Sequence, residues 1–295
     1  RRPQGARLKI MGGKSSGPEP LRAVLEFSRR KVLANQGRRL RPIHVHDIIC
    51  KIGEVVVMGG VRRTALISVS DLDDDDMRFA KTGQFYLSEP QRAMANNSAV
   101  YTEKPGASVF LDEWIALAKS GSGERGIFNR GGLKAQLPER RWKAMKKHAK
   151  TTGTNPCGEI ILRSKEFCNL TEVVARADDT EETLLRKVRV AALLGTYQST
   201  FTDFPVLSSE WKKNCEEERL LGVSITGQWD CAAVRNPGTL RRLREAAVKA
   251  NEEYAACFGV NPSLAVTCVK PSGTVSQLVD ASSGLHPRHA PYYIR

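Results

Sequence analysis

Segments with a two-residue apolar repeat alternate along this chain with segments of helical period, and that alternation restricts it to an α/β fold. TALISVS (64–70), NNSAVYT (96–102), RGIFN (125–129), RLLGVSITG (219–227) and the start of LAVTCVKPSGTVSQLVD (264–280) predict strands. Pro20–Gln36, SVFLDEWIALAKSG (108–121), EETLLRKVRVAALLGTYQSTF (181–201) and NPGTLRRLREAAVKANEEYAACFG (236–259) predict helices, the last with Thr239 near its start. Gly37 is expected to close the first helix. HVHDIICKIGEVVVMGG (44–60) reads as a second, mostly buried helix ending at Gly59–Gly60. The aspartates of DLDDDD (71–76) suit a helix cap and turn; a metal site would need spaced oxygens around a glycine turn. Basic residues 133–150 read as a helix or an irregular excursion. No repeat, linker or low-complexity tract interrupts the 295 residues, so a single domain over 1–295 is expected.

Composition narrows the setting. With 41% hydrophobic and 26% charged residues the chain is an ordinary globular protein, large enough to fold without disulfides. Its seven cysteines form no CxxC pair, which argues against a zinc ribbon and for reduced thiols in a cytoplasmic protein. The first twenty residues hold no apolar core of a signal peptide, and no apolar run approaches the ~18–20 residues of a membrane span. A formal net charge of +14 favours an anionic partner. Few aromatics stand among the Lys and Arg residues, so a phosphorylated small molecule or plain surface charge fits better than nucleic acid.

Chemistry concentrates in TGTNPCGEIILRSKEFCNL (152–170). Pro156 fixes its own φ and biases Asn155 to an extended conformation, and Gly158 permits a turn. The expected result is a rigid loop tip from which Cys157 projects, with Glu159 returning to the same side. A neighbouring carboxylate raises a thiol pKa, so thiolate-based protease chemistry fits poorly. A thiol that exchanges a hydrogen atom needs no thiolate, and Glu159 is then a general base toward a substrate. A buried cysteine in a tight turn accounts for the same residues.

Cys168 follows eleven residues later, after what should be a strand out and back, a path that brings its thiol toward Cys157. Such a pair suggests one thiol for chemistry and one for reducing equivalents; an inert apolar cysteine is the alternative. In VKPSGTVSQL (269–278) a strand is expected to end at Lys270, Pro271 to turn the chain, and Ser272, Gly273 and Thr274 to open a helix. Backbone N–H groups there, with Lys270 beside them, suit an anion; a plain capped helix is the other possibility. GxxxxGK[ST] is absent, which excludes a Walker ATPase.

SSGPEPL (15–21), GRRLRPIHVHDIICKIGEVVVMGGVRRTALISV (37–69), ANNSAV (95–100), GERGIFN (123–129), TNPCGEI (154–160), FCNL (167–170) and VKPSGTV (269–275) occur in this order. Together they resemble class II, adenosylcobalamin-dependent ribonucleotide reductases, most closely the ribonucleoside-triphosphate reductase branch, over nearly the whole chain. The resemblance implies part of a ten-stranded α/β barrel, with N-terminal and C-terminal portions missing. It implies reduction of ribonucleoside triphosphates to deoxyribonucleotides for DNA synthesis, with adenosylcobalamin as cofactor and a thioredoxin-type protein as reductant. Cys157 matches the thiyl-radical cysteine, formed after homolysis of the cobalt–carbon bond, that abstracts the ribose 3′ hydrogen. Glu159 matches the base for the 3′-hydroxyl, Asn155 the amide bonded to the ribose, and Cys168 one thiol of the reducing pair. Pro271, Ser272, Gly273, Thr274 and Val275 match the turn that holds the substrate phosphates. The motifs leave the cobalamin contacts unassigned, and no metal ligand is expected.

The other thiol of the pair is expected upstream of SGP, and the tail cysteines that re-reduce it beyond Arg295; Cys50 falls on no matching motif. The alternative of a different class is a basic nucleic-acid-binding or regulatory module with structural cysteines. An exposed Cys157 at a loop tip, facing a cavity shared with Ser272–Thr274, marks the enzyme; a Cys157 packed in an apolar core marks the module.

Overall fold

The computed structural model describes residues 2–9, 13–58, 61–62 and 64–292. They divide into two compact units, residues 1–132 and 133–295.

In the first unit, α1 (Glu19–Leu33) and α2 (Pro42–Val55) precede a two-residue antiparallel pair, β1 (Val57–Met58) and β2 (Val61–Arg62). β3 (Leu66–Ser70), α3 (Asp75–Arg78), α4 (Phe85–Ser88), β4 (Ala95–Tyr101), α5 (Ala107–Ser120) and β5 (Gly126–Asn129) follow. β3, β4 and β5 form a parallel sheet with β4 in the middle, Leu66 opposite Ala95 and Ser98 opposite Gly126. Parallel neighbours need crossovers, and the short helices and α5 supply them. Central β4 buries Ala95, Asn97, Ala99, Val100 and Tyr101. Asp74 caps α3, its carboxylate accepting the Met77 N–H at 3.0 Å, as the acidic run suggested.

Two expectations change here. α1 stops at Leu33, and Gly37, with φ +78°, belongs to the turn beyond it. α2 stops at Val55, because the β-branched run after it pairs with β2. Gly59, Gly60 and part of the VRRTA stretch lie outside the described residues. A buried carboxylate locks this unit: Asp47 of α2 accepts from Lys31 at 2.8 Å, Arg92 at 2.6 Å and Gln91 at 3.2 Å. Burial opposes its ionisation, but contacts from His46, Arg92 and Lys31 outweigh that and hold it far below the usual carboxylate range.

The second unit contains α6 (Leu133–Gln136), α7 (Glu139–Met145), β6 (Gly153–Thr154), β7 (Ile161–Leu162), β8 (Asn169–Val174), α8 (Glu181–Gln198), α9 (Ser209–Glu218), β9 (Leu221–Thr226), α10 (Pro237–Phe258) and α11 (Val275–Leu278). β8 and β9 run parallel, Asn169 opposite Leu221 and Glu172 opposite Ser224. α8 and α10 cover one face of this pair. Leu184, Val188, Ala191 and Ala192 of α8 recur at helical spacing and pack with Leu243, Ala247 and Ala250 of α10 onto Val173, Leu221 and Val223. Asn236 caps α10, its side-chain oxygen accepting from the Gly238 and Thr239 N–H groups, and Thr239 lies near the helix start as expected. The run at 264–270 forms no continuous strand. It lies along β9 through one parallel bridge, Val223 with Thr267, and backbone bonds in which Leu221 donates to Ala265 at 3.0 Å, Val223 to Val266 at 2.8 Å and Cys268 to Val223 at 3.0 Å.

Candidate active site

With Val173, Leu221 and Val223 facing the helices, strand alternation turns Leu170 and Glu172 of β8, and Gly222 and Ser224 of β9, to the opposite face. A Cβ on Gly222 would meet a Leu170 methyl at 2.4 Å and the Cys268 sulfur at 3.0 Å, so only glycine leaves room for both. Cys168 stands one residue before β8, at the edge of the same face.

β6 and β7 pair antiparallel and carry the loop Asn155–Ile160 at their tip. Asn155 closes it three ways. Its backbone N–H donates to the Ile160 carbonyl at 3.1 Å, its side-chain oxygen accepts the Ile160 N–H at 2.9 Å, and its carbonyl accepts the Gly158 N–H at 2.9 Å. Gly158 has φ +83°, where a side chain would be strained. Cys157 is exposed at this tip. The Asn155 side-chain oxygen is thus used within the loop, which the sequence did not reveal.

The Glu159 side chain has no exposed surface. One carboxylate oxygen accepts from the Lys270 ammonium at 2.7 Å, and the other is buried without a hydrogen-bond partner. Such orphans are rare and costly in folded proteins, and this one is an acceptor waiting for a donor. Burial alone would lower the Lys270 pKa. The bond and charge of Glu159 outweigh it, with Cys157 and Glu172 adding, so the ammonium is held above its ordinary range. Burial pushes the Cys168 thiol up to about 11, with the Glu159 charge adding to it and Lys270 opposing. Burial and Glu159 push Cys268 up to about 12. These thiols stay protonated at neutral pH, as hydrogen-atom or dithiol chemistry requires and thiolate nucleophilicity does not.

The 270–275 turn departs from expectation. α11 is a single turn of helix, and Thr274 before it makes no side-chain cap, so little helix dipole is available. Ser272 is buried at φ +55°, and its hydroxyl donates to Glu172. Lys270 is committed to Glu159. Gly273 and Thr274 are the exposed residues of this turn. The structure therefore brings together Cys157, Glu159, Cys168, Lys270 and the turn at Ser272. Sequence reasoning missed Glu172 and Cys268, and only the alternation of β8 past Cys168 could have pointed to Glu172.

Behind the loop, α7 and α9 are tied to the hairpin by buried ion pairs. Arg141 donates to Glu218 at 2.8 Å and to the Ile161 carbonyl. Arg163 meets Glu218 at 2.7 Å and Glu217 at 3.0 Å, and its backbone N–H donates to Glu166 at 2.8 Å. Burial and the Glu218 charge raise Glu166 to about 7 from an ordinary 4.5. A carboxyl with a raised folded-state pKa binds its proton more tightly folded than unfolded. Its contribution is full below the unfolded value and is lost as pH rises through the folded one. Urea unfolding of the protein between pH 4.5 and 8 should show a loss of up to about 3 kcal/mol that Glu166→Gln removes. Equal pH slopes for both proteins would mean that Glu166 ionises normally.

No family model matches the chain. It is 32% identical over 330 residues to the adenosylcobalamin-dependent ribonucleoside-triphosphate reductase of Lacticaseibacillus paracasei, an alignment covering all of this chain and 42% of that protein. The enzyme of the same name from Lactobacillus leichmannii is 31% identical, over all of this chain and 43% of its own length. A crystal structure of a B12-dependent (class II) ribonucleotide reductase superposes with a TM-score of 0.73 at 27% identity, over 97% of this chain and 42% of that one. The chain is a relative of the class II ribonucleotide reductases. It spans about two fifths of the length of those curated relatives. The alpha subunit of the Actinobacillus ureae class Id ribonucleotide reductase matches with a TM-score of 0.63 at 16% identity, over 93% of this chain and 61% of that one, a likeness of fold alone. The ribonucleotide reductase fold is thus the frame in which the Cys157 loop and the Lys270 turn meet.

Proposed function

We propose that this chain carries the substrate-reducing site of an adenosylcobalamin-dependent ribonucleoside-triphosphate reductase, within one ten-stranded α/β barrel completed by the rest of a longer protein. One observation carries it. Glu159, two residues from exposed Cys157, spans from the loop to the Lys270 turn and keeps one buried oxygen unpartnered. That is the geometry of a base held beside a hydrogen-atom donor, next to a place for phosphates. Cys157 outside any apolar core also favours an enzyme over a binding module.

The loop tip is compatible with the cofactor: Cys157 is exposed, and a Cβ on Gly158 would meet nothing within 4 Å, so the tip is open to approach. When bound, adenosylcobalamin supplies the one-electron chemistry that removes the hydrogen atom from the Cys157 thiol. Cys157 then takes the ribose 3′ hydrogen atom, forming S–H as C–H breaks. The free Glu159 oxygen accepts the 3′-hydroxyl proton. Cys168 and a second thiol give two electrons and two protons. The 2′-hydroxyl leaves as water, the pair becomes a disulfide, and Cys157 returns its hydrogen atom to C3′. A thioredoxin-type dithiol restores the pair in a cytoplasmic setting. Among the described residues, no helix is long and apolar enough to cross a membrane.

The test is deoxynucleotide formation by the full-length protein given a ribonucleoside triphosphate, adenosylcobalamin and a dithiol; no product would overturn the proposal. In that assay Cys168→Ser should give at most one incomplete pass with the protein reductant, because the reducing pair is broken while Cys157 survives. Normal turnover with the protein reductant would remove Cys168 from the pair.

A further inference from the structure

We infer that Glu172 is a positioning residue for the substrate's phosphates, acting through Ser272; the inference rests on the 270–275 turn being the phosphate site. Ser272 occupies the left-handed region at φ +55°, which non-glycine residues adopt only where surrounding structure holds them. It is buried, and Glu172 is what holds it: the Ser272 hydroxyl donates to a Glu172 carboxylate oxygen. Glu172 is placed by the middle of β8, and its register partner on β9, Ser224, holds the other arm of the turn by accepting the Lys270 N–H at 3.1 Å. The Pro271 carbonyl accepts from Gly284 at 3.2 Å. Each residue ahead of Gly273 is therefore pinned, Lys270 by β9 and Glu159, Pro271 by Gly284, Ser272 by β8.

The consequence is a defined presentation of exposed Gly273 and Thr274. Ser272 does not offer its hydroxyl to the ligand; it fixes the backbone that precedes them. β8 also begins one residue after Cys168, so a single rigid strand carries both the reducing thiol and the residue that sets the phosphate turn. A ligand anchored at Gly273–Thr274 is thereby held in register with the sulfur.

The experiment uses the full-length protein, with inorganic triphosphate and a ribonucleoside triphosphate as calorimetric probes. Glu172→Ala should weaken binding of both about 10-fold and raise KM more than it lowers kcat. Glu172→Gln, whose amide oxygen still accepts from Ser272, should restore most of the affinity. Ser272→Ala should match Glu172→Ala, and the double variant should be no worse than either single one. If Glu172→Ala misfolds, Ser272→Ala and Glu172→Gln carry the same comparison. Unchanged affinity in Glu172→Ala or Ser272→Ala, while Gly273→Val weakens binding, overturns the role of Glu172 and leaves the phosphate turn standing. Unchanged affinity in all three means that the phosphates sit elsewhere.

Discussion

Cys157→Ser should abolish deoxynucleotide formation in the full-length protein while leaving the fold intact. The residue is exposed at a loop tip closed by Asn155 backbone and side-chain bonds, none of which involves its sulfur. Serine fits the same space, so stability should change by less than about 0.5 kcal/mol. The chemistry does not survive, because an O–H bond is too strong to exchange hydrogen with a ribose carbon. Product analysis under saturating cofactor and dithiol is the check. Substantial deoxynucleotide from the serine variant would remove the radical role from Cys157.

Gly273→Val should weaken nucleotide binding by about 10-fold to 1000-fold, the loss of roughly 1.5–4 kcal/mol from one or two charge-assisted hydrogen bonds. Gly273 is exposed, and a branched side chain there intrudes on an anion approaching the main chain rather than on the core. Thr274→Val should act the same way more mildly, removing one exposed hydroxyl at nearly constant volume. Calorimetry on wild type and both variants measures it. Wild-type affinity in Gly273→Val would make the turn an ordinary connection. The stretch owes little to a helix dipole, since α11 is one turn long, so the effect depends on close backbone approach.

The long elements were legible because their apolar periods are strong: α5, α8 and α10 fall within a few residues of where the sequence puts them. α9 was not foreseen. SEWKKNCEEE has little apolar period, and what holds it is tertiary: Glu217 and Glu218 meet buried arginines, and Trp211 stacks on Phe167 at 4.7 Å. The run at 264–270 reads as a strand because it does lie beside β9 and shares backbone hydrogen bonds with it, yet the pairing is too short and irregular to make a strand, with one bridge at Val223 and Thr267. At the site, local chemistry could be read and long-range pairing could not. Pro156 and Gly158 announce a rigid tip in one short stretch. The Glu159–Lys270 bond joins residues 111 positions apart, and no spacing rule predicts it. The buried orphan oxygen of Glu159 depends on that same distant partner.

Protonated thiols have a consequence for how the protein meets its surroundings. Burial, with the Glu159 charge adding to it, pushes the Cys168 and Cys268 thiols up to about 11 and about 12, so both stay protonated at pH 7. Alkylating agents and peroxides attack sulfur as the anion. The burial that keeps these sulfurs protonated, with the Glu159 charge adding to it, therefore also shields them from electrophiles between encounters with substrate.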